Sequence, residues 1–240
     1  MNYLELCRRT AQECGITATT PVPTGVTDQI GELKRIVDWV KEAYNEIQTA
    51  RSDWRWMRKP FTLTTVPGTR TYAYGDAEDD QAGGAIERFA RWYLDDPYLP
   101  PRMYQQSAGV GSERWLIYAE WEWFSMIYRR GTVVQGPPAY IAVDPDNRIW
   151  LGPSPDDIYV GSGDFYRNSQ DLSEGTDPGA NVPEMPPHFH MLIVYEAMKK
   201  YAGYESAQEV MVRATREASS LWTTLKNSQL PKVSFAPPLA

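Results

Sequence analysis

Paired carboxylates beside aromatic side chains are the residues of this sequence that come closest to a catalytic set. Glu120 and Glu122 lie among Trp115, Trp121 and Trp123. Two carboxylates at a suitable separation act as acid and base on a glycosidic bond, and the aromatic neighbours suit a sugar ring. Spacing along the chain does not fix a distance in space. A carbohydrate-binding or carbohydrate-cleaving module with exposed Trp and Tyr therefore stays an alternative interpretation.

Candidate metal ligands are few and badly spaced. His188 and His190 point to opposite sides of a helix, so they cannot share a metal there, and no third ligand lies nearby. A calcium loop needs ligands at alternate positions, a glycine and a closing Glu. Neither the acidic run at residues 78–80 nor the pair Asp144 and Asp146 supplies that pattern. We interpret these acidic segments as a solvated loop and a solvated turn.

Nucleophile and phosphate motifs give no better candidate. Gly161-Ser162-Gly163 is not followed by the Lys-Ser/Thr pair of a phosphate-binding loop. No serine has a G-x-S-x-G context, and neither cysteine belongs to a recognised Cys–His signature. Cys7 and Cys14 lie about 10 Å apart along a helix, too far for a disulfide, so we expect free thiols in a reducing compartment. The sequence predicts no catalytic residues, no metal and no cofactor.

The charge and the aromatic content of the chain indicate which classes of partner it can bind. The 240 residues carry a net charge of −7, which argues against tight binding of nucleic acid, although DNA can pass along a surface of like charge. Nine Trp and 15 Tyr suit half-buried surfaces between proteins. The N-terminus has no apolar core of a signal peptide, and no run of apolar residues is long enough for a membrane span.

Helical periodicity marks both ends of the chain. A first helix over 2–14 has Tyr3, Leu4, Cys7, Ala11 and Cys14 on one side and ends at Gly15. A second over 28–50 is predicted to start after Thr27 as N-cap and to bury Ile30, Leu33, Ile36, Val37, Val40, Tyr44 and Ile47. The C-terminal helices are predicted to begin at Pro186-Pro187, to break at Gly203 and to run again over 206–225.

The middle of the chain reads as β-structure. Val66-Pro67-Gly68 is a turn signal, so we expect a hairpin between the strands on either side of it. Further strands are predicted over 86–94, 115–118, 139–143, 148–151 and 158–166, with a turn at Asp144–Asn147 and a helical turn over 120–129. Residues 95–112 are expected to form an irregular loop.

These elements predict an α+β fold, because no βαβ alternation occurs. N-terminal helices (1–55) and C-terminal helices (184–226) are expected to pack as a bundle, with a central antiparallel β-rich domain (56–183). The remaining segment, 227–240, is expected to be an extended arm, since it has prolines and no period. Its apolar residues are the candidate binding site: Leu230, Pro231, Val233, Phe235, Pro237, Pro238 and Leu239.

Four stretches, taken in order, resemble a known family. They are MNYLELCRRTAQECGI with VTDQIGELKRIVDWVKEAYNEIQ, then SDWRWMR, then the aromatic and Pro-rich stretch from Tyr118 to Asp177, and finally VPEMPPHFHMLIVYEAMKKYAGYE. Together they are similar to the head-to-tail adaptor (head-completion, or connector) proteins of tailed bacteriophages. The Gly- and Pro-rich segment within 75–112 departs from that pattern.

The resemblance implies a structural virion protein and not an enzyme. It implies a dodecameric ring, made in the host cytoplasm and placed at the head–tail interface. Such a ring binds the portal protein on one side and a tail or nozzle protein on the other, and lets DNA pass without specific binding during genome ejection. The portal is then the expected partner of the C-terminal arm.

Overall fold

The chain divides into a helical unit and a β-rich unit. The computed structural model describes residues 1–16 and 23–230. The helical unit is built from both ends of the sequence, Met1–Trp56 and Ser169–Ala240, and the β-rich unit is Met57–Asn168. The predicted α+β class is confirmed.

Within the described residues, the α-helices are α1 (Tyr3–Glu13), α2 (Gly31–Thr49), α3 (Trp121–Phe124), α4 (His190–Glu205) and α5 (Gln208–Gln229). All but α3 belong to the helical unit, where α4 contacts α1, α2 and α5. The side chains that α4 buries include Leu192, Ile193 and Val194, which cover most of its circumference. A helix that is apolar nearly all round is central to its unit.

Helix α1 starts at a capping box. The Asn2 side chain accepts from the Glu5 N–H at 2.8 Å, and the Glu5 carboxylate accepts from the Asn2 N–H at 2.9 Å. These two bonds satisfy free donors at the helix start. Leu6 and Thr10 are fully buried alongside the predicted stripe, whereas Leu4 is only half-buried. Gly15 follows the helix with φ 74°, as expected for its left-handed end.

Helix α2 begins three residues later than predicted. Its N-cap position is Ile30, not Thr27, because Asp28 turns the chain with φ 56° before the helix starts. Ile30 is therefore 85% exposed, and its placement on the buried face is wrong. The prediction that the residues of this face are buried is correct from Ile36 onward.

The two C-terminal helices also differ from prediction at their junction. Gly203 lies inside α4, and the break falls at Ser206, whose backbone is left-handed with φ 55°. Helix α5 extends through Gln229, so it takes in residues 227–229 that we assigned to the arm.

Ten strands build two sheets in the β-rich unit: β1 (Arg58–Thr64), β2 (Thr71–Tyr72), β3 (Ala77–Asp79), β4 (Phe89–Tyr93), β5 (Arg102–Gln105), β6 (Arg114–Trp115), β7 (Ile117–Tyr118), β8 (Tyr140–Val143), β9 (Ile149–Gly152) and β10 (Tyr159–Arg167). The larger sheet has the order β3-β1-β10-β5-β6, with β4 also paired to β10. The smaller has the order β2-β9-β8-β7, in which only the β7–β8 pair is parallel.

The predicted hairpin across Val66-Pro67-Gly68 is wrong, although the turn itself forms. Thr69 donates to the Val66 carbonyl at 3.0 Å and Gly68 has φ 81°, as a type II turn requires. The strands on its two sides nevertheless enter different sheets, since β1 pairs with β10 and β2 pairs with β9. The loop predicted over 95–112 likewise contains a strand, β5.

One buried cluster draws side chains from both sheets, among them Phe61, Trp92 and Phe165 from the larger and Ile149 and Leu151 from the smaller. Two glycines of β10 keep this cluster tight. A Cβ at Gly161 would lie 2.9 Å from the Met103 methyl, and one at Gly163 would lie 3.0 Å from Leu94 and Phe61. The Gly-Ser-Gly motif therefore has a packing role.

Residues 169–183 belong with the helices, although we assigned them to the central region. Gln170 exchanges hydrogen bonds with Gln48 of α2, at 3.0 and 2.7 Å, and accepts from the Tyr44 hydroxyl at 3.0 Å. Lys41 of α2 pairs with Asp171 at 2.9 Å. These polar contacts fix the segment against α2.

Candidate functional site

One exposed apolar surface of the β-rich unit follows β6, β7 and the residues from α3 to Ile127. Trp115 is 67% exposed and Ile117 is 58% exposed, while Leu116 between them is buried. In an extended segment alternate residues share a side, so Trp115 and Ile117 point outward together. Residue spacing alone predicted the strand here but not its outward-facing apolar side chains.

The surface continues onto α3. Ile117 pairs in register with Tyr140, whose ring lies 5.3 Å from the ring of Trp123. Met126 and Ile127 follow Trp123 by three and four residues and are exposed with it. We call Trp115, Ile117, Trp123, Met126 and Ile127 the apolar stripe.

Helix α3 and the turn that follows it are packed closely on β9. A Cβ at Gly152 would lie 2.8 Å from both Phe124 and Tyr128, so these rings rest directly on the β9 backbone. Arg70 donates to the Tyr128 carbonyl at 3.0 Å and lies over the Trp150 ring. The turn from 125 to 129 is a π-helix. A rigid, aromatic, outward-facing surface has the composition of a protein interface core.

The carbohydrate interpretation gains no support from this geometry. Of its three tryptophans, Trp121 packs 5.4 Å from Trp150 and has the Arg129 guanidinium over its ring, so that face is occupied. Trp123 tilts against Tyr140, and only Trp115 is free to stack on a flat ligand. Glu120, the N-cap of α3, and Glu122 are both exposed.

The histidines are split between surface and core. His188 is exposed beside Phe189, whereas His190 is buried, with Nδ1 2.9 Å from the Met1 amino group and Nε2 3.1 Å from the Met185 carbonyl. The cationic amino group must donate, so Nδ1 accepts and Nε2 carries the proton. Burial lowers the pKa of His190. No group of three or more His, Cys, Asp or Glu residues suited to a metal occurs in the described part of the chain.

Two of the acidic residues interpreted as solvated are buried, so that interpretation is partly wrong. Asp79 accepts from the N–H groups of Gln81 and Ala82, and it closes its own turn. Asp144 accepts four hydrogen bonds within the β8–β9 turn. Both carboxylates are satisfied by local donors, which makes them structural.

The cysteines are inert thiols. Cys7 and Cys14 are free and buried in the helical unit. Burial raises the pKa of the Cys7 thiol far above its ordinary value and that of Cys14 to about 12. Only a thiolate is a good nucleophile, so neither residue is reactive at neutral pH.

Of the candidate arm residues, Leu230 alone lies within the described chain. It follows α5 as the C-cap, with its N–H on the Lys226 carbonyl at 3.1 Å. The others, Pro231, Val233, Phe235, Pro237, Pro238 and Leu239, lie outside the described residues. No helix within 1–16 or 23–230 is long and apolar enough to cross a membrane.

A family model described as "SU10 adaptor protein" matches residues 1–234, which is nearly the whole chain. No curated protein matches the sequence.

Proposed function

The chain belongs to the SU10 adaptor protein family, a family of bacteriophage structural adaptors, and we propose that it forms the adaptor ring between the head and the tail of the virion. The observation that carries the proposal is the extent of the family match, which includes both units. A match limited to one unit would leave the role of the other open. As a structural adaptor, the protein has no catalytic role.

We infer a dodecameric ring held in part by the apolar stripe. An exposed row of Trp, Ile and Met on a rigid support is costly in a monomer and is stabilised when another protein covers it. In a ring every subunit meets two copies of itself, so one repeated contact covers the stripe in all of them.

The portal and a tail or nozzle protein are the proposed partners on the two sides of the ring. The C-terminal segment that follows Leu230 is the proposed portal-binding arm. Its apolar residues have no period that would let it bury them on itself, and its prolines lower the entropy lost on docking. DNA passes through the bore without specific binding, in keeping with the charge of −7.

Native mass spectrometry and negative-stain imaging test the ring, with and without purified portal protein. We expect closed rings, formed by the chain alone or on the portal. Met126→Glu with Ile127→Glu should prevent ring closure, whereas Val212→Glu, at an exposed apolar position on α5, should not. A protein that stays monomeric in the presence of portal would overturn the proposal.

Deletion of residues 231–240 tests the arm separately. This cut spares α5, which ends at Gln229, so the truncated chain should keep its fold. We expect it to lose portal capture while rings still form. If ring formation is lost instead, the arm binds a neighbouring subunit. Unchanged portal affinity together with unchanged assembly would contradict any partner-binding role.

A further inference from the structure

A basic groove opens on the helical unit, apart from the apolar stripe. It has a volume of about 520 Å³ and lies among the end of α2, one side of α4 and the second half of α5. Arg51 lines it from just after the end of α2, Lys199 from α4, and Trp222 and Lys226 from α5. The rest of the lining is small or hydroxylic, so these four side chains decide its chemistry.

Charge is the first reason to regard the groove as a binding site. Three cations line it and no carboxylate does, in a chain whose net charge is −7. Arg51 is exposed and makes no ion pair with any residue of 1–16 or 23–230. Lys226 has its ammonium 5.3 Å over the Trp222 ring, and Lys199 pairs with Glu196. Glu196 compensates Lys199, so the excess positive charge of the groove comes from Arg51 and Lys226.

The floor of the groove is rigid. Trp222 donates its indole N–H to Glu196 at 2.6 Å and stacks at 6.3 Å on Trp54. The indole N–H of Trp54 in turn is shared between the carbonyls of Ile47 and Gln48, at 3.0 and 3.1 Å. Those carbonyls belong to the last turn of α2, where they have no partner within the helix. The Trp54 N–H therefore provides a hydrogen-bond donor at the C-terminal end of α2, beside the groove.

We propose that this groove binds an acidic peptide segment of a partner protein. Carboxylates of the segment would pair with Arg51 and Lys226, and the chain between them would pack on Trp222. A concave site of this size suits an extended peptide, whereas the backbone of duplex DNA is convex and needs a broad basic surface. The inference goes beyond the proposed function, because the ring and portal contacts there rest on the stripe and the arm.

Fluorescence anisotropy on the full chain tests the inference with labelled peptides. The probe is a seven-residue peptide with four Asp or Glu residues, and its matched control carries Asn and Gln at those positions. We expect saturable binding of the acidic peptide only, weakened by added salt. Arg51→Gln with Lys226→Gln should reduce its affinity at least tenfold. Lys34→Gln with Arg130→Gln, which changes the net charge equally at exposed positions, should leave it unchanged.

Several outcomes would overturn the inference. One is equal binding of the amide peptide, and another is equal loss in both double variants. Competition by inorganic phosphate at the same charge concentration would reduce the groove to a simple anion site, and preferential binding of a DNA duplex would make it a nucleic-acid site. None of these results bears on ring formation or portal capture, so the two proposals fail independently.

Discussion

Replacement of Asp144 by Asn should destabilise the β-rich unit more than the same replacement of Asp146, the other carboxylate of the β8–β9 turn. Asp144 is 4% exposed, and one of its oxygens accepts from the N–H groups of Asp146 and Arg148. The other accepts from the Arg148 guanidinium at 2.8 Å and from the Trp150 indole at 2.9 Å. The amide of Asn keeps the first oxygen but puts an NH₂ group, a donor, against the second pair of donors.

The expected cost follows from those lost bonds. A buried Trp150 N–H without an acceptor costs about 1–3 kcal/mol. The Arg148 side chain is 45% exposed, so loss of its ion pair adds at most about 1 kcal/mol after screening by solvent. The free energy of unfolding should therefore fall by about 1–4 kcal/mol. Asp146 is the matched control, because its side chain is 75% exposed and its amide variant should change stability by less than about 0.5 kcal/mol.

Urea denaturation followed by tryptophan fluorescence measures both variants. Burial raises the pKa of Asp144, but hydrogen bonds from Arg148 and Trp150 outweigh that effect and lower it overall. A carboxyl with a lowered pKa in the folded state stabilises above its unfolded pKa of about 3.9, and this contribution is lost as the pH falls through the folded value. The Asn variant should lack this part of the acid sensitivity. Equal stability of the two variants at pH 7 would refute the reasoning.

Three further predictions concern the core, acid stability and DNA. Val40→Asp should lower the free energy of unfolding by about 3 kcal/mol or more, because it buries an unpaired charge on α2. Lys34→Asp, on the exposed side of α2, should not lower it to that extent. Urea denaturation of both variants measures the difference. Burial lowers the pKa of His190, so the folded state binds fewer protons than the unfolded state. The free energy of unfolding should therefore decrease as the pH falls below about 6.5, until the folded pKa is passed. Unfolding measured across pH should show no such slope for His190→Gln. A gel shift at physiological salt should give a Kd for duplex DNA no tighter than about 10⁻⁶ M, and a nanomolar value would contradict the role we assign to the acidic charge.

Elements with their own local signals could be predicted from the sequence. The β8–β9 hairpin has a Pro-Asp-Asn turn between two apolar runs, and α1 ends at a glycine with left-handed backbone. The type II turn at Gly68 was also correct. The predicted pairing of the strands on either side of it was wrong. A turn fixes only the local direction of the chain, whereas pairing depends on which distant strand, here β9 or β10, has a matching edge.

The surfaces were harder to predict than the elements. The apolar stripe joins residues of two strands and a helix, so no single period reveals it, although the spacing of Trp123, Met126 and Ile127 was a usable signal. The basic groove combines α2, α4 and α5, whose approach no local pattern specifies. Ile30 shows the converse: it continues the apolar period of α2 but lies before the first helical turn, and is exposed.

The inserted position of the β-rich unit has a consequence for synthesis of the chain. Its first and last strands are neighbours, with Arg58 opposite Tyr166, so the chain leaves the unit beside the point where it enters. All of Met57–Asn168 emerges from the ribosome before α4 and α5, which complete the helical unit. Once β1 and β10 pair, the connection between α2 and the C-terminal helices is short. A flexible loop of about 110 residues in its place would cost about 4 kcal/mol of chain entropy to close. Pairing of β1 with β10 thus removes most of the chain-entropy cost of bringing α2 and the C-terminal helices together.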